Sequence, residues 1–372
     1  MANEKTWYCE NTMNINCDDT NTAGTAAEWM YQFFNFLSGG AGQTTSPWTV
    51  VSASDGSSIT STGTNITNAS DLIWSTTAAS AAHSWFLMQN TIMRSGSIVS
   101  SSTDPDASIY LLVDCEYNAS NSEAYARIAW DWNEYDCSAA TTASAPSPHS
   151  DNTEYHYRSN QGDQRFMYDY HASYPTYFHG TMDSTGSFYA YSANAQYVGA
   201  YANYPFMACI VRLETPRTIA VDSFPVVAKF QYDVSVKGPM DKSSIYNDYW
   251  KDGDPSPTQY AEFGWSMWWS DGSRLTYAGR PGWTVSYANY MILGDTMDYQ
   301  GSDIDGTYPM LPVFCMTTHT NKLAVRGRVP DFFQAPGYTN INGATVPFSG
   351  TPTHCVVGDY FLPVTASLLP GV

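Results

Sequence analysis

The chain has 372 residues, of which 14% are charged and 15% aromatic, and it carries a net charge of −19. A soluble domain ordinarily has about 25% charged residues, and here no Lys or Arg occurs between Thr6 and Met93 or after Arg328. Phosphate contacts need Lys or Arg and anionic lipid attracts clustered cations. The composition therefore argues against duplex nucleic acid and an anionic membrane surface as partners.

The predicted elements begin with a short N-terminal amphipathic helix. Thr25-Ala-Ala-Glu28 reads as a capping box, and Trp29, Met30, Phe33, Phe34 and Leu37 follow at helical spacing before Gly39-Gly40 stops the helix. After Pro47 the pattern turns to strands. Trp48 to Ser52 alternates and ends at the turn signal Ser54-Asp-Gly56. Ser84 to Met88 and Ile109 to Val113 read as buried strands, and Ile128, Trp130 and Trp132 alternate on one face. Ser138 to Asn152 is rich in Ala, Thr, Ser and Pro and reads as a loop or linker. A Tyr/His-rich stretch from Tyr155 to His179 follows. Strand signals return at 186–191, 206–213, 224–236, 309–316, 323–329 and 355–364, and a polar, Trp-rich insertion occupies 241–283.

Aromatic and β-branched residues suit pleated, half-buried surfaces. The expected fold is mainly β, with antiparallel β-sandwich-like sheets, one short helix and long loops. Three segments are expected: an N-terminal helix plus β region at 1–137, a linker at 138–165, and a second β region at 166–372. No apolar run approaches the length of a membrane span. The opening Met-Ala-Asn-Glu-Lys-Thr-Trp lacks the regions of a signal peptide. The seven cysteines make a poor disulfide framework, and Cys209 and Cys315, set in apolar runs, read as reduced core thiols, with Cys9 and Cys17 near enough to pair.

Candidate chemistry is sparse. Asp252-Gly-Asp254 and Asp303-Ile-Asp305-Gly306 offer carboxylates without the spacing of a Ca²⁺ loop, and turns explain both. His156, His171 and His179 share a segment with Asp169 and Asp183 but follow no zinc or facial-triad pattern. Asp131, Glu134 and Glu262 stand beside tryptophans, as carboxylates of a sugar site would. No nucleophile elbow, P-loop or dinucleotide fingerprint occurs. The reading assigns no catalytic residue, no cofactor and no metal. Tyr and Trp combine an apolar body with a polar tip, which suits interfaces. The residues expected at contacts are Trp29, Phe33, Phe34, Tyr157, Tyr177, Trp265, Trp268, Trp269, Arg326 and Arg328; the helix face of Trp29, Phe33 and Phe34 reads as a core or subunit-packing face that meets the Trp48 strand of its own chain, and the two arginines as partners of carboxylates in a neighbouring subunit or domain.

Several segments, taken in order, resemble a group of tailed-bacteriophage virion structural proteins. They are Ser46-Pro-Trp-Thr-Val-Val-Ser-Ala-Ser-Asp-Gly56, Ser70-Asp-Leu-Ile-Trp74 with Ala82-His-Ser-Trp-Phe-Leu-Met-Gln89, Asp183-Ser-Thr-Gly-Ser-Phe-Tyr189, Tyr308 to Phe314, Val325-Arg-Gly-Arg-Val-Pro-Asp331 and Val357 to Pro363. The resemblance implies a non-enzymatic virion component at the tail, neck or capsid surface, made in the host cytoplasm. It would assemble as a symmetric homo-oligomer with copies of itself and other virion proteins. The alternative is a glycan-binding appendage that recognises host-surface glycans, and a third reading is a virion-borne glycosidase.

Overall fold

The structure is a computed structural model that describes residues 7–16, 22–72, 82–94, 108–118, 123–131, 135–148, 175–193, 207–214, 225–231, 265–269, 274–278, 311–319, 322–334, 345–346, 353–357 and 360–363. These residues are mostly strands in antiparallel sheets, with one α-helix, α1, from Thr22 to Gly39. The helix starts three residues before the expected capping box. Ser46 ends it by donating from Oγ to the Leu37 carbonyl at 2.6 Å. Gly40 has φ +64, and a Cβ there would lie 2.8 Å from Ser46 Cα, so the exit from the helix requires glycine.

One five-stranded sheet has the order β3-β2-β4-β5-β6. Its strands are β2 (Trp48–Asp55), β3 (Ile59–Thr60), β4 (Ser84–Arg94), β5 (Ser108–Asn118) and β6 (Glu123–Asp131). The seven-stranded sheet has the order β1-β9-β10-β11-β12-β13-β14. Its strands are β1 (Trp7–Asn16), β9 (Pro175–Asp183), β10 (Phe188–Ala193), β11 (Met207–Arg212), β12 (Pro225–Gln231), β13 (Trp265–Trp269) and β14 (Arg274–Ala278). The second five-stranded sheet, β15-β16-β19-β18-β17, is built from β15 (Leu311–His319), β16 (Lys322–Gln334), β17 (Thr345–Val346), β18 (His354–Val357) and β19 (Tyr360–Pro363). A small hairpin pairs β7 (Tyr135–Asp136) with β8 (Ser147–Pro148).

A single core joins the helix to two of these sheets. Met30, Phe33, Phe34, Phe36 and Leu37 of α1 cluster with Trp48, Phe86, Met88, Leu111 and Val113 on one side and with Phe178, Met182, Phe188 and Ile210 on the other. Phe33 shows why the apolar face of the helix is so broad. Its ring centroid lies 6.5 Å from Phe86 in the five-stranded sheet and 5.8 Å from Phe188 in the seven-stranded one. Phe36 meets Phe178 and Phe188, while Phe34 meets Phe86 edge-on. Each such ring pair adds roughly 0.5–1.5 kcal/mol beyond the area it buries.

The central strands β9, β10 and β11 are buried on both faces. Phe188, Ala190 and Ile210 face the helix, and Tyr189, Tyr191, Cys209 and Val211 on the opposite face are also buried. Tyr189 stacks on Phe332 of β16, with ring centroids 5.6 Å apart. Likewise β4 and β5 bury both faces, which is why 84–88 and 109–113 read as continuous apolar runs.

β1 pairs with β9 and the main core runs from Ala27 to Ile210, so residues on both sides of the 138–165 segment share it. Residues 138–148 form a loop that closes against β4, through His83 N to Thr142 O at 2.9 Å and Trp85 Nε1 to Thr141 O at 2.9 Å. The Tyr/His-rich stretch ends in a central strand, β9. In β9 Gly180 interrupts the apolar alternation, because the Phe36 ring occupies the space a side chain would need. Finally, 265–269 and 274–278 extend the seven-stranded sheet and are not an inserted unit.

A Cβ added at Gly180 would fall 2.5 Å from Cδ2 of the fully buried Phe36 ring. Gly180→Ala should therefore destabilise the chain by about 1–3 kcal/mol in urea unfolding. Phe36→Leu in the same chain should recover part of that loss; strict additivity of the two changes would show that the contact is not shared.

Candidate functional site

The described residues that connect elements through polar side chains form three junctions. The first is the turn between β9 and β10. The carboxylate oxygen Oδ1 of Asp183 accepts from Thr185 N at 2.8 Å, Thr185 Oγ1 at 2.6 Å and Ser187 N at 3.0 Å. Gly186, at φ +84, completes the turn with N–H to Asp183 O at 3.0 Å. Its neighbours are docked from outside. Trp48 Nε1 donates to Gly186 O at 2.8 Å, Asn90 Nδ2 to Thr185 O at 3.1 Å, and Gln43 Nε2 to Asp183 O at 3.3 Å. Ser187 Oγ accepts from Arg212 N at 3.1 Å. The turn thus ties the helix exit, β2, β4 and β11 together. Burial lowers the Arg212 guanidinium, while Asp183 opposes that shift.

The second junction joins the seven-stranded sheet to β16. Glu214 and Arg328 exchange backbone hydrogen bonds at 2.9 and 2.8 Å, and Arg328 donates from Nε at 2.8 Å and Nη2 at 2.5 Å to Glu214 Oε2. Tyr189 donates its hydroxyl to Pro330 O at 2.6 Å. Burial, with the charges of Cys209, Asp331, Asp183 and Glu214 behind it, pushes the Tyr189 hydroxyl well above the ordinary tyrosine value. It remains a neutral donor. Asp331, at φ +49, turns β16 just past this contact. Nearby, His354 pairs its Nδ1 with Thr353 Oγ1 at 2.9 Å and meets Phe333 edge-on. Burial lowers its pKa, and contact with Asp331 partly offsets this.

The third junction is a buried contact, His83 Nε2 to Asp114 Oδ1 at 2.7 Å, under the 137–146 segment. Burial first, and the Asp114 charge second, push the neighbouring Cys115 thiol well above its ordinary value. That thiol is protonated at neutral pH and is no nucleophile.

The residues expected at contacts between chains separate. Phe33 and Phe34 lie in the core of their own chain, at 0% and 4% exposure, because two sheets close on the helix from different sides. They leave no surface for a partner. Arg328 pairs with the Glu214 carboxylate of another element of its own chain, both side chains remaining about a third exposed. Arg326 lies on the same strand, Trp29 on the helix and Tyr177 on β9, with side chains outside the described set; Tyr157 lies outside the described residues. Trp265, Trp268 and Trp269 lie on β13, which pairs with β12, and their side chains are outside the described set.

Among the described residues no three His, Cys, Asp or Glu side chains gather as a metal site would require, and no helix is long and apolar enough to cross a membrane. Asp252, Asp254, Asp303, Asp305, His156, His171, Asp169, Glu134 and Glu262 lie outside the described residues, as does the side chain of Asp131. Cys115 and Cys209 are buried and Cys137 half-buried, so Cys209 lies in the core as its apolar run suggested. Cys17 and the side chains of Cys9 and Cys315 fall outside the described set. The junction residues Gln43, Asn90, Asp183 and Glu214 were missed as functional positions. Asp183-Ser-Thr-Gly-Ser187 is legible as a turn, but its partners lie far away in sequence. What the arrangement does is hold separate sheets in one register. No protein-family model, curated protein or solved structure matches the chain.

His179 is fully buried and stacks on Tyr191 at 5.2 Å, and burial lowers its pKa to about 4. The unfolded chain takes up a proton at His179 near the ordinary histidine value of about 6.5, before the folded chain does. Stability should therefore be fully present above about pH 6.5 and should fall progressively down to about pH 4. The span corresponds to about 3 kcal/mol. His179→Phe keeps a stacking ring, and urea titrations across that pH window should show a flatter slope for it than for the parent chain.

Proposed function

We propose that this chain is a structural protein of a tailed-bacteriophage virion, with antiparallel β-sandwich-like sheets, that assembles as a symmetric homo-oligomer at the tail, neck or capsid surface. The observation that carries the reading is a pair of long-range bonds between the segments that resemble such proteins. Trp48, in the first of them, donates to Gly186 in the third, 138 residues away. Tyr189, in the third, donates to Pro330 in another, 141 residues away. The residues behind the resemblance thus act together as joints of one framework. A chain whose distinctive residues fix geometry suits a role in which shape is the function. Its partners would be further copies and other virion proteins, met through aromatic surface, since Tyr and Trp lose little rotamer entropy on binding.

The glycan-binding appendage has weaker support. It requires Trp265, Trp268 and Trp269 to line an open groove beside Glu262. The glycosidase reading depends on Asp131 and Glu262 acting as a pair.

Antibody raised against the purified chain should label gradient-purified particles at one fixed locus, and light scattering of the isolated protein should give a closed oligomer. Particles without the label would remove the virion reading. Incubation with host-envelope polysaccharide tests the others. Release of reducing ends, abolished by Glu262→Gln or Asp131→Asn, would establish a glycosidase, and binding without cleavage would establish the appendage.

A further inference from the structure

β2 runs into β3 through Ser54-Asp-Gly-Ser-Ser58. The chain has four Asp-Gly pairs, at 55–56, 252–253, 271–272 and 305–306, and the first is the one among the described residues. Asp-Gly is a chemically labile dipeptide. Glycine has no side chain to obstruct an approach and moves freely in φ and ψ, so its nitrogen can attack the Asp carboxyl carbon. The N–H proton and the carboxyl hydroxyl leave as water, and the new N–Cγ bond closes a succinimide ring. Water then opens the ring. Cleavage of N–Cγ restores aspartate, whereas cleavage of the original peptide bond leaves isoaspartate, with an extra methylene in the main chain.

Both reacting groups are occupied in this turn. The Gly56 N–H donates to Ser54 Oγ at 3.1 Å, and a serine hydroxyl is too weak a base to take its proton. The Asp55 carboxylate accepts through Oδ1 from Ser57 N at 2.7 Å and Ser58 N at 2.6 Å, and through Oδ2 from Ser58 Oγ at 3.0 Å. The backbone is fixed as well. Asp55 N donates to Ser58 O at 3.2 Å, and Asp55 pairs with Ser84 at the end of the β2–β4 ladder. Gly56 is buried at φ +82, and Ser54 is fully buried beside it. Ring closure needs the carboxyl to leave two backbone N–H groups, the Gly56 N–H to leave Ser54, and Asp55 to abandon its extended geometry, all together.

We infer that Asp55–Gly56 is a latent isomerisation site, which Ser54 and the N–H groups of Ser57 and Ser58 keep shut while the β2–β3 hairpin is closed. The site reacts only through local opening of the hairpin. Isoaspartate at 55 would then bar reclosure in the same register. The extra methylene displaces Ser58, whose carbonyl accepts from both Asp55 N and, at 3.0 Å, Asn65 Nδ2. Asn65 also accepts from Thr60 Oγ1 and donates to Ala53 O. The damage would therefore spread into the loop after β3, where Gly63 lies against the Phe34 ring. The site is independent of the virion reading and is a property of the isolated chain.

Peptide mapping of isoaspartate at Asp55 tests this on the full-length protein, held for several weeks at neutral pH and physiological temperature. The same chain unfolded in guanidinium is the reference. The folded chain should form isoaspartate roughly tenfold or more slowly than the unfolded one, in proportion to the open fraction of the hairpin. Ser54→Ala leaves the Gly56 N–H without its acceptor and should raise the folded rate severalfold at an unchanged denaturation midpoint. Ser58→Ala, at an exposed position, removes the Oδ2 donor without touching the core and should raise the rate by less. Equal rates in the folded and unfolded parent chain would overturn the inference, as would an unfolded chain that forms no isoaspartate at Asp55. A Ser54→Ala chain that stays folded and isomerises no faster than the parent would overturn the part given to Ser54.

Discussion

The indole N–H of Trp48 reaches across from one sheet to a backbone carbonyl of another, at Gly186, while its ring lies edge-on to Phe188. A buried Trp needs an acceptor for its N–H, and a buried turn carbonyl needs a donor. Here each satisfies the other. The bond can form only if the turn after β9 is already shaped, and that shape comes from Asp183 gathering Thr185 and Ser187 beneath it. Gly186 then has to be glycine twice over. Its φ is positive, and a Cβ would fall 2.3 Å from the Asn90 amide that docks on the same turn. The helix, both of its flanking sheets and the connection to β11 take their positions from this one turn.

Charge has been placed where it settles geometry. Asp114 and Asp183 are buried acids in a chain short of cations, and each is engaged, one by an imidazole and the other by a turn of its own making. Glu214 and Arg328 repeat the theme at the join to β16, where side chains and backbone bond the same two residues. Such a pair at the edge of solvent adds about 1 kcal/mol at most. Its value lies in registering two ladders that otherwise touch through Tyr189 and Phe332.

Local pattern made much of the fold legible. The helix, the turn at Asp55 and the strands β2, β4, β5, β10 and β11 could be read because period and punctuation are local properties. β9 could not, because Gly180 breaks the alternation for the benefit of Phe36, a residue far away in sequence. Nor was β1 legible: Trp7 to Asn16 acquires its meaning from pairing with β9. The same limit applies to the contact residues. A broad aromatic face such as that of Phe33 and Phe34 looks like surplus when one partner sheet is expected, and becomes ordinary core once two are present. That Arg328 would seek a carboxylate could be read from an acidic chain, but nothing near it in sequence marks Glu214 as its partner.

The separation of Trp48 from Gly186 also has a consequence for how the chain is made. Their bond spans 138 residues. At a synthesis rate of about 5–20 residues per second, Trp48 waits on the order of ten seconds or more before its acceptor exists. During that interval α1 and the first strands must keep their aromatic faces from neighbouring nascent chains, with the β9–β11 side of their eventual core still untranslated. A protein made in many copies at once meets that hazard on every ribosome of a polysome, so the pace of translation through residues 48–186 becomes a determinant of its yield.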